Sequence, residues 1–167
     1  MAGRQNGQAL VEFALISVIL ALLLTGAIEF GFLFGHKIEL AGAARAGARW
    51  AASHPSSWTA TATPASTTVE GQIRYAGGTQ EVPNDDAHMA IEYFAVNGAT
   101  VTPCGRFSAA SNAFVPVAGY SQTTCVADGN LVRVTVQNSY PIVSALIARV
   151  TGPGVALQAA ASMVMIG

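Results

Sequence analysis

The hydrophobic pattern is dominated by one apolar run near the N-terminus. Residues 10–34 include only two charged side chains, Glu12 and Glu29. At 1.5 Å per residue, a helix over this run is about 37 Å long, which exceeds the roughly 30 Å hydrocarbon core of a bilayer. The run is also longer than the roughly 7–15 apolar residues of a cleaved secretory signal. It therefore predicts a single transmembrane anchor.

The helical pattern continues past this run. Residues 8–52 contain no proline, and their second half is rich in Ala and Gly. Gly31 and Gly35 form a G-x-x-x-G pair, and small side chains of this kind let helix backbones approach closely. We predict one helix over residues 8–52. Its small residues, such as Ala43 and Gly47, can pack against other helices or against the chain's own domain, and the spacing leaves both open.

The rest of the chain predicts a linker and a small domain. Residues 53–68 are rich in Ser, Thr, Ala and Pro, which is typical of a linker, so the domain is assigned to residues 69–167. Residues 131–137 alternate in polarity, with three valines on one side, and this is the clearest strand pattern in the chain. Residues 99–102 and 155–166 predict two further strands.

Two short helices are predicted in this domain. The Asn-Asp-Asp sequence at residues 84–86 predicts the N-cap of a helix over residues 87–96, which Asn97-Gly98 would end. Residues 142–150 predict the second helix, which follows a turn at Tyr140-Pro141. The predicted fold class is α+β, with a long N-terminal transmembrane helix followed by a small antiparallel-sheet domain that carries one or two short helices.

Composition narrows the possible functions. Only 10% of the residues are charged and the net charge is −1, so we expect no nucleic-acid partner. The sequence contains no G-x-S-x-G, H-E-x-x-H or phosphate-binding loop motif, and we expect no enzymatic activity. His36, His54 and His88 are scattered, and C-x-x-C is absent, so we expect neither a metal site nor another cofactor.

The chain has two cysteines, Cys104 and Cys125. A disulfide between them would persist in an oxidising compartment and would add about 3 kcal/mol of stability by the chain-entropy estimate. Two free thiols in a cytoplasmic domain are the alternative. A disulfide favours placing the domain outside the cytoplasm, whereas Lys37, Arg45 and Arg49, which follow the anchor, favour the opposite orientation.

A processing signature precedes the apolar run. The sequence Gly7-Gln8-Ala9-Leu10-Val11-Glu12-Phe13 follows a short polar leader that contains Arg4, and a Gly followed at the fifth position by Glu is typical of type IV prepilins. Together with Glu29-Phe30-Gly31 and the Ala-Ala-Arg-Ala-Gly-Ala-Arg sequence at 43–49, it resembles the TadE/TadG-like family. Members of that family are minor pilins or pseudopilins of the tight-adherence (Flp-type, type IVc) pilus system. The resemblance is strong over residues 4–52 and moderate over residues 130–166.

The resemblance implies a processing step and a topology. A prepilin peptidase would remove residues 1–7 by cutting between Gly7 and Gln8, although major type IV pilins usually have Phe where this chain has Gln8. The N-terminus would face the cytoplasm, with a single pass through the bacterial inner membrane and a periplasmic or extracellular C-terminal domain. Residues 8–52 would then be a pilin-like anchor in the lipid bilayer.

The resemblance also implies assembly with other proteins. Expected partners are other pilin or pseudopilin subunits and the pilus assembly machinery, and Glu12 would pair with the free amine of a neighbouring subunit. The residues predicted to act in helix packing or assembly are Glu12, Glu29, Gly31, Gly35, Ala43 and Gly47. Two alternatives are a monomeric membrane-anchored module that binds a partner in the envelope, and a type II secretion pseudopilin with the same N-terminal signature.

Overall fold

A computed structural model describes residues 5–78 and 82–166 of the chain. Most of the predicted leader, residues 1–4 with Arg4, lies outside the described residues. The elements are α1 (Gln5–Ser53), α2 (Val69–Ala76), β1 (Met89–Asn97), β2 (Thr100–Ser108), β3 (Ala113–Pro116), α3 (Gln122–Cys125), β4 (Leu131–Pro141), α4 (Ala145–Thr151) and β5 (Gly154–Val164). This architecture confirms the predicted α+β class.

The described strands form one antiparallel sheet in the order β3-β2-β1-β4-β5. The central strand is β1, where Ile91 pairs with Phe107 of β2 on one side and with Val134 of β4 on the other. The predicted alternation in β4 is confirmed, because Val132, Val134 and Val136 are all buried. One face of the sheet therefore forms the core.

The helix predicted over residues 87–96 is wrong, because this segment is the strand β1. Its buried residues are Met89, Ile91, Tyr93 and Ala95, which recur with the period of two that defines a strand. The predicted N-cap forms a turn instead, in which the Asp85 carboxylate accepts hydrogen bonds from the backbone N–H groups of residues 87 and 88. Pairing with β2 and β4 thus outweighs the local capping signal at residues 84–86.

The chain divides into two compact units. The anchor unit comprises α1 up to Gly35 together with Tyr140–Val155. The sheet unit comprises His36–Ser139 and the chain from Ala156 onward. The second part of α1 therefore belongs to the sheet unit.

Within the sheet unit, α1 lies very close to α2 and β4. A Cβ atom on Gly47 would be 2.5 Å from Cγ1 of Ile73 and 3.2 Å from Cγ1 of Val134. The first distance is shorter than real Cβ contacts and the second is tight, so a larger residue here would require Ile73 and Val134 to shift. The small residues of α1 that are fully buried around it are Ala43, Ala44, Ala48 and Ala51.

This packing gives Ala43 and Gly47 contacts within the chain. Ala43 is fully buried, and Gly47 is buried against the chain's own α2 and β4. A role for either residue in assembly stays a prediction. Of the two possibilities that the spacing left open, the structure contains the packing against the chain's own domain.

The disulfide and an aromatic cluster hold the loops of the sheet unit. Cys104 of β2 is bonded to Cys125 at the end of α3, and both are fully buried. In the predicted linker, the Trp58 indole donates a 2.7 Å hydrogen bond to the Tyr93 hydroxyl, which in turn donates to the carbonyl of Pro55 at 2.9 Å. The linker therefore contributes part of the core.

Glu70 is a buried acid that the sequence pattern did not reveal. It lies in the first turn of α2 and is 1% exposed. Its Oε2 accepts a 3.1 Å hydrogen bond from the backbone N–H of Thr59, whereas its buried Oε1 has no hydrogen-bond partner among the described residues. Burial raises the pKa of Glu70 from 4.5 to about 7, because it disfavours the charged form.

We predict that Glu70 makes the sheet unit less stable at alkaline pH. The folded chain holds this proton more tightly than the unfolded chain, so its stabilising effect is complete below about pH 4.5 and is lost as the pH rises through about 7. The loss amounts to at most about 3 kcal/mol. Urea unfolding of the full chain in detergent, followed by tryptophan fluorescence, should show it between pH 5 and pH 8. Glu70→Gln should flatten this dependence, and Asp128→Asn, at an exposed site, should not.

We also predict that Gly47→Leu destabilises the sheet unit by about 1–3 kcal/mol or more, because the new side chain overpacks Ile73 and Val134. The matched control is Gly31→Leu, since a Cβ atom at Gly31 meets nothing within 4 Å. That change should leave the urea midpoint of the sheet unit within experimental error. Equal midpoints for Gly47→Leu and the wild type would contradict the close packing.

Candidate functional site on the N-terminal helix

The first part of α1 presents an apolar surface to its surroundings. The helix Gly7–Ser53 is long and apolar enough to cross a membrane. Its exposed large apolar residues before Gly35 are Leu10, Val11, Phe13, Leu15, Ile16, Val18, Ile19, Leu20, Leu22, Leu23, Leu24, Ile28, Phe30, Phe32 and Phe34. A surface of this extent is not stable in water and is typical of contact with lipid or with other helices. This segment fits a single-pass membrane anchor.

The residues of the processing signature lie together at the start of α1. Gly7, Gln8 and Glu12 are all exposed. The Gln8 side-chain amide donates a 3.2 Å hydrogen bond to Glu12 Oε1, one helical turn away. An amide supplies a donor but no positive charge, so Glu12 keeps its capacity to bind a cation.

Gly31 and Gly35 form a shallow open strip on α1. Both are exposed, and a Cβ atom at either position would meet nothing within 4 Å. The rings of Phe30 and Phe34 stack at 6.3 Å beside this strip. The predicted G-x-x-x-G pair is therefore available to another helix, in contrast to Gly47.

Glu29 is the one described acid in the anchor unit that is buried, at 8% exposure. Its Oε1 accepts a 3.0 Å hydrogen bond from the backbone N–H of Val143, and its Oε2 accepts one of 3.3 Å from the N–H of Ser144. The side chain of Tyr140 also forms a hydrogen bond with Glu29. Tyr140 lies at the end of β4, and Val143 and Ser144 follow it in the chain that leads to β5.

These contacts give Glu29 partners within its own chain. A carboxylate in an apolar environment costs several kcal/mol unless hydrogen-bond donors compensate it. Here the donors belong to the same chain, and the role predicted for Glu29 in assembly stays a prediction. The partners are more than 110 residues away in sequence, and no local pattern identifies them.

No group of three or more His, Cys, Asp or Glu side chains that could hold a metal ion occurs within residues 5–78 and 82–166. His88 Nδ1 lies 2.7 Å from an oxygen of Asp85, at the turn before β1. This pair stabilises the turn. The candidate functional site is therefore the surface of α1.

Comparison with known families identifies part of this helix. Residues 7–49 match the TadE-like protein family. The match begins at the glycine of the processing signature and ends inside α1, so it confirms the resemblance for this helix. No curated protein and no solved structure matched the chain. The likeness to TadE-like proteins thus rests on α1, and the sheet unit beyond residue 49 lies outside the match.

We predict that Glu29→Ala loosens the chain segment that Glu29 binds. Two backbone N–H groups lose their acceptor, at a cost of about 1–3 kcal/mol for each group left unsatisfied. Hydrogen exchange of the Val143 and Ser144 amides, measured in detergent, should become about tenfold faster or more. Glu29→Gln retains one acceptor oxygen and should have an intermediate effect.

The control for this experiment is Glu12→Ala, which removes an exposed acid from the same helix. It should leave exchange at residues 143 and 144 unchanged. Unchanged exchange in Glu29→Ala as well would show that the two hydrogen bonds do not hold this segment.

Proposed function

We propose that the protein is a minor pilin-like (pseudopilin) subunit that acts in the assembly of a Flp/Tad-type pilus, with a structural and not a catalytic role. The observation that carries this proposal is the TadE-like match over residues 7–49. The matched segment contains the part of α1 whose apolar surface the chain itself leaves uncovered. A role in assembly gives this surface a partner.

Lateral helix packing is the proposed mechanism. In a membrane, helices associate through close van der Waals contact, which small residues permit. Gly31 and Gly35 supply such a contact surface, because no side chain that the structure describes covers them. Other pilin or pseudopilin subunits would pack against this strip, and the assembly machinery would recognise the resulting bundle.

Cleavage after Gly7 would create the second proposed contact between subunits, which is an ion pair with Glu12. A prepilin peptidase would cut between Gly7 and Gln8 and would leave a free amine on Gln8. Glu12, exposed in the single chain, would accept that amine from a neighbouring subunit. A carboxylate near the start of an apolar run is tolerated best when it meets a cation, and the ion pair would also fix the register between subunits.

The proposed location is the bacterial inner membrane, with the N-terminus in the cytoplasm and the sheet unit in the periplasm or outside the cell. The Cys104–Cys125 disulfide supports this orientation, because such bonds persist in oxidising compartments and are rare in the cytosol.

A second candidate is a membrane-anchored module that binds a partner in the envelope and acts alone. One observation favours this second candidate. Ala43 and Gly47 resemble a helix-packing surface in sequence, but both are buried in the chain's own core. The part of α1 that remains open to another helix therefore ends at Gly35.

We predict that Glu12→Ala lowers in-cell crosslinking to other pilin-like subunits by about tenfold or more, because a buried amine would lose its partner. The control is Thr25→Ala, since the Thr25 hydroxyl only donates a 2.7 Å hydrogen bond to Ala21 of the same helix. N-terminal sequencing of the same membranes should show that both variants begin at Gln8. The disulfide, checked by mass before and after reduction, reports folding.

Two outcomes would decide against pilus assembly. Crosslinking that is undiminished in Glu12→Ala would remove the proposed ion pair. A wild-type chain that begins at the same residue as Gly7→Val would show that no prepilin-type cleavage occurs, and the anchored binding module would become the better assignment.

A further inference from the structure

The segment Tyr140–Val155 runs from the last residues of β4 to the first residues of β5, and we refer to it as the β4–β5 connection. It packs beside the membrane-spanning part of α1 and not only at its end. It belongs to the same compact unit as α1 up to Gly35. Ile142, Ile147 and Val155 of this β4–β5 connection line an apolar depression together with Gly26, Phe30 and Leu33 of α1. The connection therefore lies at the level of these α1 residues.

The position of Glu29 sets the depth of this contact. The N–H groups of Val143 and Ser144 bind the Glu29 carboxylate directly, at 3.0 and 3.3 Å. Glu29 lies five residues before the end of the apolar run at Phe34, which is about 7 Å along the helix axis. The apolar run is about 7 Å longer than the hydrocarbon core, so this excess can extend beyond the core at either end of the run. If it lies at the Phe34 end, Glu29 is at the boundary of the core. If it lies at the other end, Glu29 and its partners are about 7 Å inside the core.

The composition of the β4–β5 connection fits this depth. Arg149 is its one charged residue, and most of the others are apolar or small. Val143 is 78% exposed, although it is a large apolar residue. Arg149 is also exposed, and a long Arg side chain can reach the headgroups while its stem stays in the apolar layer.

Several backbone donors of the connection have partners within the protein. Besides the two N–H groups that Glu29 accepts, Ile142 donates to the carbonyl of Pro153 at 3.1 Å, and Ala148 and Gly152 donate within the turn of α4 at 2.9 and 3.0 Å. Pro153 has no N–H group. Irregular backbone is tolerated at the edge of a bilayer when its polar groups find partners in this way.

We propose that the β4–β5 connection is a second membrane-contacting element, which inserts into the headgroup and upper acyl region of the leaflet at the C-terminal end of the α1 span. Interfacial helices lie about 5–10 Å deep at this boundary, which agrees with the depth set by Glu29. Val143 and its exposed neighbours contact lipid, and Glu29 holds the element against the span. The proposal concerns a single chain, so it does not depend on pilus assembly.

Site-directed spin labelling of the full chain in phosphatidylcholine–phosphatidylglycerol vesicles tests the proposal. The label is placed by Val143→Cys, with Ala145→Cys as a second exposed site in the connection. Val101→Cys is the matched control, because it is also an exposed valine but lies in the sheet unit, and Ile28→Cys marks the span. The native disulfide keeps Cys104 and Cys125 from reacting with the label.

Accessibility to oxygen, which concentrates in lipid, is compared with accessibility to a water-soluble nickel chelate. At low protein density, the oxygen-to-nickel ratio at residues 143 and 145 should exceed that at residue 101 by about threefold or more and should lie below that at residue 28. A ratio at 143 and 145 equal to that at 101 would overturn the proposal, because the connection would then be in water. Shielding from both reagents would overturn it as well, because protein would then cover the element. A water-like ratio at residue 28 would remove the membrane span and the proposal together.

Discussion

The sheet unit depends on the close approach of α1 to α2 and β4 at Gly47. Ile73 of α2 and Val134 of β4 occupy the space that a side chain at residue 47 would need. The neighbouring alanines of α1 are buried for the same reason, and the helix serves as one wall of the core. The end of the chain also returns to this helix, where the N–H of Ile166 donates to the carbonyl of Ala52 at 3.0 Å. The second part of α1 is thus integral to the domain that follows it.

One continuous helix therefore serves two environments. Before Gly35 its apolar side chains remain exposed, whereas beyond that point its small residues face protein. The two acids in the apolar run, Glu12 and Glu29, also have different surroundings. Glu29 is compensated within the chain by Val143 and Ser144, whereas Glu12 is exposed and, among the described residues, accepts a hydrogen bond from the neutral Gln8 amide. This difference supports the proposal that Glu12 is the acid that meets another subunit.

The confirmed predictions rest on extended local signals. A long, proline-free run that begins with apolar residues predicts the helix, and alternating valines predict β4; the structure contains both. The helix predicted over residues 87–96 is wrong, because the alternation of Met89, Ile91 and Tyr93 matters more than a capping signal in a segment with β2 on one side and β4 on the other. The partners of Glu29 and the burial of Glu70 arise from contacts distant in sequence, which no local pattern contains.

Two signals bear on the proposed orientation of the chain, and they oppose each other. Lys37, Arg45 and Arg49 outnumber the basic residues before the span, but the charge rule applies to short loops, and folded domains cross membranes largely regardless of charge. The chain after the span is a folded domain, and Lys37 donates a hydrogen bond to the carbonyl of Gln158 inside it. The disulfide, in contrast, depends directly on the redox state of the compartment. Of the two signals, the disulfide carries more weight, and it favours a sheet unit outside the cytoplasm.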